Sequence, residues 1–373
     1  MPQSNAISYQ LSVGGAPVGE ELASAIQQVE VEDHAELAGI LRLKVGVSVR
    51  ADGSGWTVID DATFTRLAPV KLSAIAGSSG AQTLIDGFVI ETSVQFGAQP
   101  GESMLTVVAM DGSVLMNLEE KVRSWPATSD SDIAATIFGD YGFASDVTAT
   151  AQAHSEEQQT TMQRGTDMQF LQCLARRNGY QCYVEADAAT GKNTGHFHPP
   201  ATQQQPLGTL SVNLGEATNV DAFQLRHDML RPVHAKVNGL EIESASEQAI
   251  AADSASLPLL GREATVGADK PRTVLLSQSG LGYGGDWQVL AQAVVDRSSW
   301  AVTAEGELST STFGAILRAK KTVQVRGIGR LFSGAFYIQR VLHTFSSKGH
   351  KQRFTLRRNA TGLTGTETFT EAS

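Results

Sequence analysis

The residues best placed by type and spacing to do chemistry are His196 and His198. They flank Phe197 and so set two imidazoles on one side of a strand, the beginning of a metal site. A metal needs further donors; none stands nearby in the sequence, and Pro199-Pro200 ends the strand at once. His154, His227, His234 and His343 are scattered, and none pairs with a visible serine or cysteine nucleophile. Cys173 and Cys182 read as buried free thiols on a helix and the next strand, in a chain made in a reducing cytoplasm. Gly280-Leu281-Gly282-Tyr283-Gly284-Gly285 precedes a helix. No apolar strand leads into it and no Lys-Ser/Thr follows, so it reads as a loop hinge rather than a phosphate cradle. G-x-S-x-G, P-loop and H-E-x-x-H patterns are absent, and no carboxylate pair stands out as a glycosidase dyad. No catalytic residue, cofactor site, cofactor or metal ligand is therefore assigned, and the expected role is non-enzymatic.

Composition narrows the classes further. The 373 residues carry 29 Lys+Arg against 39 Asp+Glu, a net charge of −10 with no basic cluster, which argues against sequence-specific nucleic-acid binding. At 41% hydrophobic and 18% charged residues the chain is globular, and its length suits two or three domains. No stretch approaches the apolar length of a membrane span, so stable membrane insertion is not expected. The start, Met1-Pro2-Gln3-Ser4-Asn5, has neither the basic nor the apolar region of a signal peptide.

The elements around these residues are mostly strands. Leu41, Leu43, Val45, Val47 and Val49 alternate with polar or small residues, and Val29 and Val31 do so before them, which buries one face of a sheet. Gly53-Ser54-Gly55, Gly77-Ser78-Ser79-Gly80 and Pro100-Gly101 mark turns. Short strands at this spacing predict an antiparallel barrel or sandwich. Ser129 to Asp132 can cap a short helix over Ile133–Phe138. A second helix starts at Thr166 and Asp167, carries Phe170, Leu171 and Leu174 on one stripe, and ends in Arg176, Arg177 and a left-handed Gly179. Strands resume near Leu210 and include Phe223, Leu225, Val233, Ala235 and Val237. Ser244 to Ser256 reads as a surface loop, and Asp286–Ser299 as a helix packed through Trp287, Leu290, Ala291 and Val294. One internal echo stands out. Gly87-Phe88-Val89-Ile90, then Phe96 and Pro100-Gly101, resembles Ala335-Phe336-Tyr337-Ile338, then Phe345 and Lys348-Gly349. Phe88 and Phe336, Ile90 and Ile338, and Gly101 and Gly349 are each 248 residues apart, with alternating strands on either side of both.

Two segments carry a resemblance. Gln163-Arg164-Gly165-Thr166-Asp167-Met168-Gln169-Phe170-Leu171, continuing through Leu174-Ala175 to Gly179-Tyr180, resembles a run in phage late control D proteins and in the hub part of VgrG. Val323 to Gly327, Ser333 to Ile338, Val341, His343, Gly349 and Arg357-Arg358-Asn359 are similar to the ending of that family. The resemblance implies a mainly β fold with an α+β part: two similar antiparallel β-barrels and a small inserted α/β domain, assembled as a trimeric ring. The expected boundaries are 1–118 for the first barrel, 119–209 for the α/β domain, 210–243 and 305–360 for the second barrel, 244–304 for a loop and helix insertion, and 361–373 for a polar tail.

The implied function is the structural baseplate hub of a contractile phage tail or injection system. Three chains of two barrels give a pseudo-sixfold ring between a sixfold inner tube and a threefold spike, with a channel for cargo. The implied partners are two further copies of the chain, a separate trimeric spike protein, the inner tube or a tube-initiating protein, and baseplate wedge components. The chain ends soon after Asn359, which is why the spike is expected to be separate. Synthesis in the cytoplasm would precede assembly into the particle. A cell-wall-degrading tail hydrolase and a glycan-binding tip module are the alternatives. The first needs an acid/base pair or metal that the sequence lacks. The second needs aromatic platforms, and aromatic residues are only 6%.

Overall fold

The computed structural model describes residues 9–76, 80–99, 101–151, 153–187, 191–242, 244–267, 272–276 and 281–370. The expected turn residues Gly77, Ser78, Ser79 and Pro100, and Gly280 of the glycine-rich run, lie outside these residues, as do Met1 to Asn5. The fold is mainly antiparallel β. The chain opens with β1 (Tyr9–Val13), β2 (Ile26–His34), β3 (Ile40–Gly46), β4 (Pro69–Ala74), β5 (Gln82–Gln95) and β6 (Met104–Asp111). They lie side by side in the order β2-β3-β6-β5-β4-β1. Alternation sets the buried face: Val29, Val31, Leu41, Leu43, Val70, Leu72 and Val107 are all within 1% of full burial and share one core. Val49, expected to extend this alternation, falls beyond the end of β3 and is 55% exposed, because the chain turns there to bridge Val49 to Trp56.

A mixed unit follows: β7 (Glu120–Trp125), α1 (Asp130–Asp140), β8 (Ala144–Val147), β9 (Thr161–Thr166), α2 (Asp167–Asn178), β10 (Gln181–Ala186) and β11 (Asn193–His198). Local chemistry fixes both helices. Ser129 caps α1 by accepting from the Asp132 amide. At α2, Thr166 and Gln169 form a reciprocal capping box, and Gly179 ends the helix at φ 71°, a conformation that a residue with a Cβ adopts only under strain. Phe170, Leu171 and Leu174 face inward against Ile133, Phe138 and Phe197. Cys182 is buried here, whereas Cys173, expected to be buried, lies between the inward Leu171 and Leu174 on the outer face of α2 and is exposed.

The last third contains β12 (Thr209–Ser211), β13 (Ala222–His227), β14 (Val233–Glu241), β15 (Glu247–Ala252), β16 (Arg272–Leu276), α3 (Gly284–Ser298), β17 (Val302–Ser309), β18 (Thr322–Arg326), β19 (Gly334–Ser346) and β20 (Gly349–Arg358). Two expectations change. Ser244–Ser256 is not an unpatterned loop, because β15 pairs along the whole of Leu240 to Ala235 on β14. Val233, Ala235 and Val237, expected beside Leu225 in the second large sheet, belong instead to this smaller sheet, where Ala235 and Val237 pack on Trp287, Ala291 and Val295 of α3. A 3.6-residue helical stripe and a period-2 strand face supply the two halves of that core.

The remaining strands repeat the first sheet. Their order is β13-β17-β20-β19-β18-β12, the same succession strand for strand as β2-β3-β6-β5-β4-β1. The long strands correspond in detail: β5 slips register between Val89 and Glu91, and β19 slips between Ile338 and Arg340. This sets Val89 on Ile338 and Glu91 on Arg340, one residue out from the register of the sequence echo, because the ladders rather than the side-chain types fix the equivalence. The copies differ at their ends, where β1 runs antiparallel to β4 and β12 parallel to β18. Among the described residues neither ladder closes into a barrel. The two instead join edge to edge, with Arg340–Phe345 of β19 paired antiparallel to Val29–His34 of β2. Phe345 crosses this seam to pack in the first core.

A buried charge cluster locks the seam. The Asp33 carboxylate, on β2, accepts hydrogen bonds from Arg318 Nε (2.9 Å), the Ala319 amide (3.0 Å) and Lys320 Nζ (2.7 Å). Arg318 also donates to the Thr83 carbonyl of β5 and to Glu185 of β10, both at 2.6 Å. Both repeats and the α/β unit thus meet at the Arg318 guanidinium. Burial alone would raise the Asp33 pKa; Lys320 and Arg318 override it and hold the carboxyl far below its usual range. Breaking such a pair strands buried cations, so Asp33→Asn is expected to cost about 3–5 kcal/mol at neutral pH. Because the folded pKa is depressed, the Asp33 contribution is complete above about pH 4 and is lost as the pH falls below that. Denaturant melts of the two proteins from pH 7 to pH 2 check both effects: the curves should converge at the acid end, and parallel curves would contradict the account.

Two histidines inside the second repeat give a separate pH signature. Gln352 Nε2 donates to Thr310 Oγ1 at 2.7 Å, Thr310 meets His350 Nδ1 at 2.9 Å, and His350 Nε2 meets His343 Nδ1 at 3.1 Å. Burial keeps both imidazoles neutral, with the His350 pKa lowered to about 3 and that of His343 well below 6.5. Each contribution is therefore complete above about pH 6.5 and is lost as the pH falls below that, down to about 3 for His350, at up to about 1.4 kcal/mol per pH unit per imidazole. His350→Gln should flatten the stability profile between pH 6.5 and pH 4. A slope equal to that of the unsubstituted protein would mean that His350 is not held neutral.

Candidate functional site

The two imidazoles singled out in the sequence do meet a third group. β8 runs parallel to β11 and sets Asp146 directly beside His196, while antiparallel pairing sets Tyr183 of β10 on its other side. His196 Nδ1 lies 3.0 Å from Asp146 Oδ2, and His198 Nε2 lies 3.9 Å from the same oxygen. The Tyr183 hydroxyl meets His198 Nε2 at 3.1 Å, and His198 Nδ1 donates to the Pro199 carbonyl at 2.6 Å. The Tyr183 ring stacks on His196 at 4.5 Å. Burial lowers the His196 pKa, opposed by the hydrogen bond to Asp146. The group lies on the wall of a cleft of about 760 Å³ that also touches Arg318 and Lys320. Two nitrogens and one carboxylate oxygen within 4.8 Å of one another can donate to a cation. Each nevertheless already has a protein partner, and Asp146 is 63% exposed.

Sequence spacing could not have found Asp146 or Tyr183, since they lie 50 and 13 positions before His196 and reach it only through strand pairing. The other histidines stay apart. His154 stacks on Tyr283 at 4.1 Å and meets Asp286, His234 meets Asp253, and His343 lies in the buried pair described above. Among the described residues no serine, threonine or cysteine side chain is hydrogen-bonded to His196 or His198. Trp287 and Trp300 are buried, and Trp300 packs between Tyr337 and the Arg357 guanidinium. No helix among the described residues is long and apolar enough to cross a membrane.

Two sheet edges are open among the described residues. β13 pairs with β17 on one side, and no described residue pairs with its other backbone edge, where Ala222, Gln224 and Arg226 are exposed. In β5, Gln82–Phe88 is covered by β4, but Glu91–Gln95 pairs, among the described residues, with β6 alone, and Glu91, Thr92 and Ser93 are exposed. Exposed edges of this length are templates for further strand pairing.

Solved structures with the same architecture are tail proteins. The 43 kDa tail protein of prophage MuSo2 from Shewanella oneidensis aligns with a TM-score of 0.65 at 13% identity, over 95% of this chain and 99% of that one. The tail protein from Neisseria meningitidis MC58 aligns with a TM-score of 0.62 at 12% identity, over 95% and 97%. The E. coli c3393 protein is a type VI secretion component described as structurally similar to the T4 bacteriophage tail proteins gp27 and gp5. It aligns with a TM-score of 0.56 at 10% identity, over 93% of this chain and 76% of its own. At such identities the likeness concerns the fold. No curated protein sequence matches the chain. A family model described as the Alg8 N-terminal domain matches residues 4–225, more than half of the chain. The protein therefore belongs to the Alg8 N-terminal domain family.

Proposed function

We propose that the chain is a non-enzymatic structural hub in the baseplate of a contractile tail or injection system, of the late control D and VgrG-hub kind. The observation that carries this reading is the repeat of one strand order, β2-β3-β6-β5-β4-β1 and β13-β17-β20-β19-β18-β12, within a single chain. Three such chains hold six equivalent modules, which matches a sixfold tube on one face and a threefold spike on the other. The tail and type VI secretion proteins that share the fold support the same reading. Its partners are two further copies of the chain, a spike protein, the inner tube or a tube initiator, and wedge components. The channel between the modules passes cargo and performs no chemistry.

The mass in solution, measured by light scattering alone and with a co-expressed spike, tests the assembly. One chain weighs 39.6 kDa, so a trimer is expected at about 119 kDa. A stable monomer under both conditions would overturn the hub.

A further inference from the structure

The seam inside the chain shows how one module receives the next. Arg340–Phe345, the part of β19 beyond its bulge, is the segment that β18 does not cover, and β2 fills that edge. The part of β5 beyond its bulge is likewise left uncovered by β4, and here nothing fills the edge among the described residues. The strand equivalent to β2 is β13, whose outer edge is also open among the described residues. Each chain therefore carries one completed seam and the two separated halves of a second.

We infer that Glu91–Phe96 of one copy pairs antiparallel with the open edge of β13 of a second copy, reproducing between chains the β19–β2 seam within the chain. This rests on the hub reading for the number of copies; the pairing itself stands on the repeat. Carrying the register through the matching ladders places Phe96 opposite Phe223, Gln95 opposite Gln224 and Ser93 opposite Arg226.

Two side-chain features agree with this register. Within the chain, Glu32 lies between Arg340 Nε at 2.6 Å and Arg42 Nη1 at 3.7 Å. The positions equivalent to Arg340, Glu32 and Arg42 hold Glu91, Arg226 and Glu305, the same triad with every charge inverted. The Arg226 side chain is 78% exposed in the single chain, and among the described residues its ion pair is with Asp228, at 3.8 Å. Opposite charges placed diagonally across two strands stabilise their pairing. The second feature is apolar. Phe345 enters the first core and is 4% exposed, whereas its counterpart Phe96 rests on Trp56 and is 60% exposed. In the proposed pairing Phe96 meets Phe223 and Leu225, at the rim of the second core.

A cysteine pair tests the register. In a Cys173→Ser background, Gln95→Cys with Gln224→Cys should cross-link on mild oxidation into two- and three-chain species that collapse on reduction. Neither single cysteine should give a three-chain band, nor should the out-of-register pair of Gln95→Cys with Ala222→Cys. A solution trimer that fails to cross-link, or that cross-links equally through Ala222→Cys, would overturn the pairing and leave the hub reading standing. A ladder running past three chains would support the pairing and contradict three-copy closure. A monomer with no cross-link would remove both.

Discussion

Asp33 is the point on which the arrangement of the three main parts depends. Its carboxylate is almost fully buried and is satisfied by groups from 318–320, while Arg318 reaches on to β5 and to Glu185 of the α/β unit. Burying such a cluster carries a large desolvation cost that is offset only when every partner is in place. The cluster therefore discriminates: a small shift of either repeat, or of β10, would leave a buried charge unpaired. The β19–β2 seam supplies the backbone pairing, Phe345 supplies apolar contact across it, and the charges fix its position.

The repeat explains why a seam should be so tightly specified. A module that ends in an open strand edge is prone to pair with anything extended. Within the chain that edge is occupied by the other module, in one register. The proposed junction between chains would use the same geometry again, with the polarity of the charge triad reversed. Reversal separates the two kinds of junction. An edge meant for another copy would face like charges at the internal seam, and the internal edge would face like charges at the outer one. In the proposed assembly, two versions of one fold in one chain would give alternating junctions around a ring without a second gene product.

Much of this was legible in the sequence, and what was not has a common cause. The α2 capping box, its Gly179 stop and its inward stripe are local and follow from residue types at fixed offsets. The alternation of Val29, Val31, Leu41 and Leu43 marks a half-buried sheet, and the echo between residues 87–96 and 335–345 marks the two long strands. The sequence was misleading where local pattern competes with tertiary pairing. Ser244 to Ser256 is rich in small residues, yet part of it is recruited by β14, and the alternation through Val49 outlasts its strand. Contacts that join distant segments left no trace. Asp33 and Arg318 are 285 positions apart, and Asp146 reaches His196 only through a parallel ladder. The charge inversion became readable once strand register had paired the positions.

Electron-microscope images of the purified assembly viewed down its axis would decide whether three chains present six equivalent modules around a channel. Class averages should show six lobes of similar size around a central hole, alternating slightly because the two repeats differ in sequence and β13 leads into the α3 unit. Averages with three compact lobes and no hole, or open chains of varying length, would contradict that arrangement.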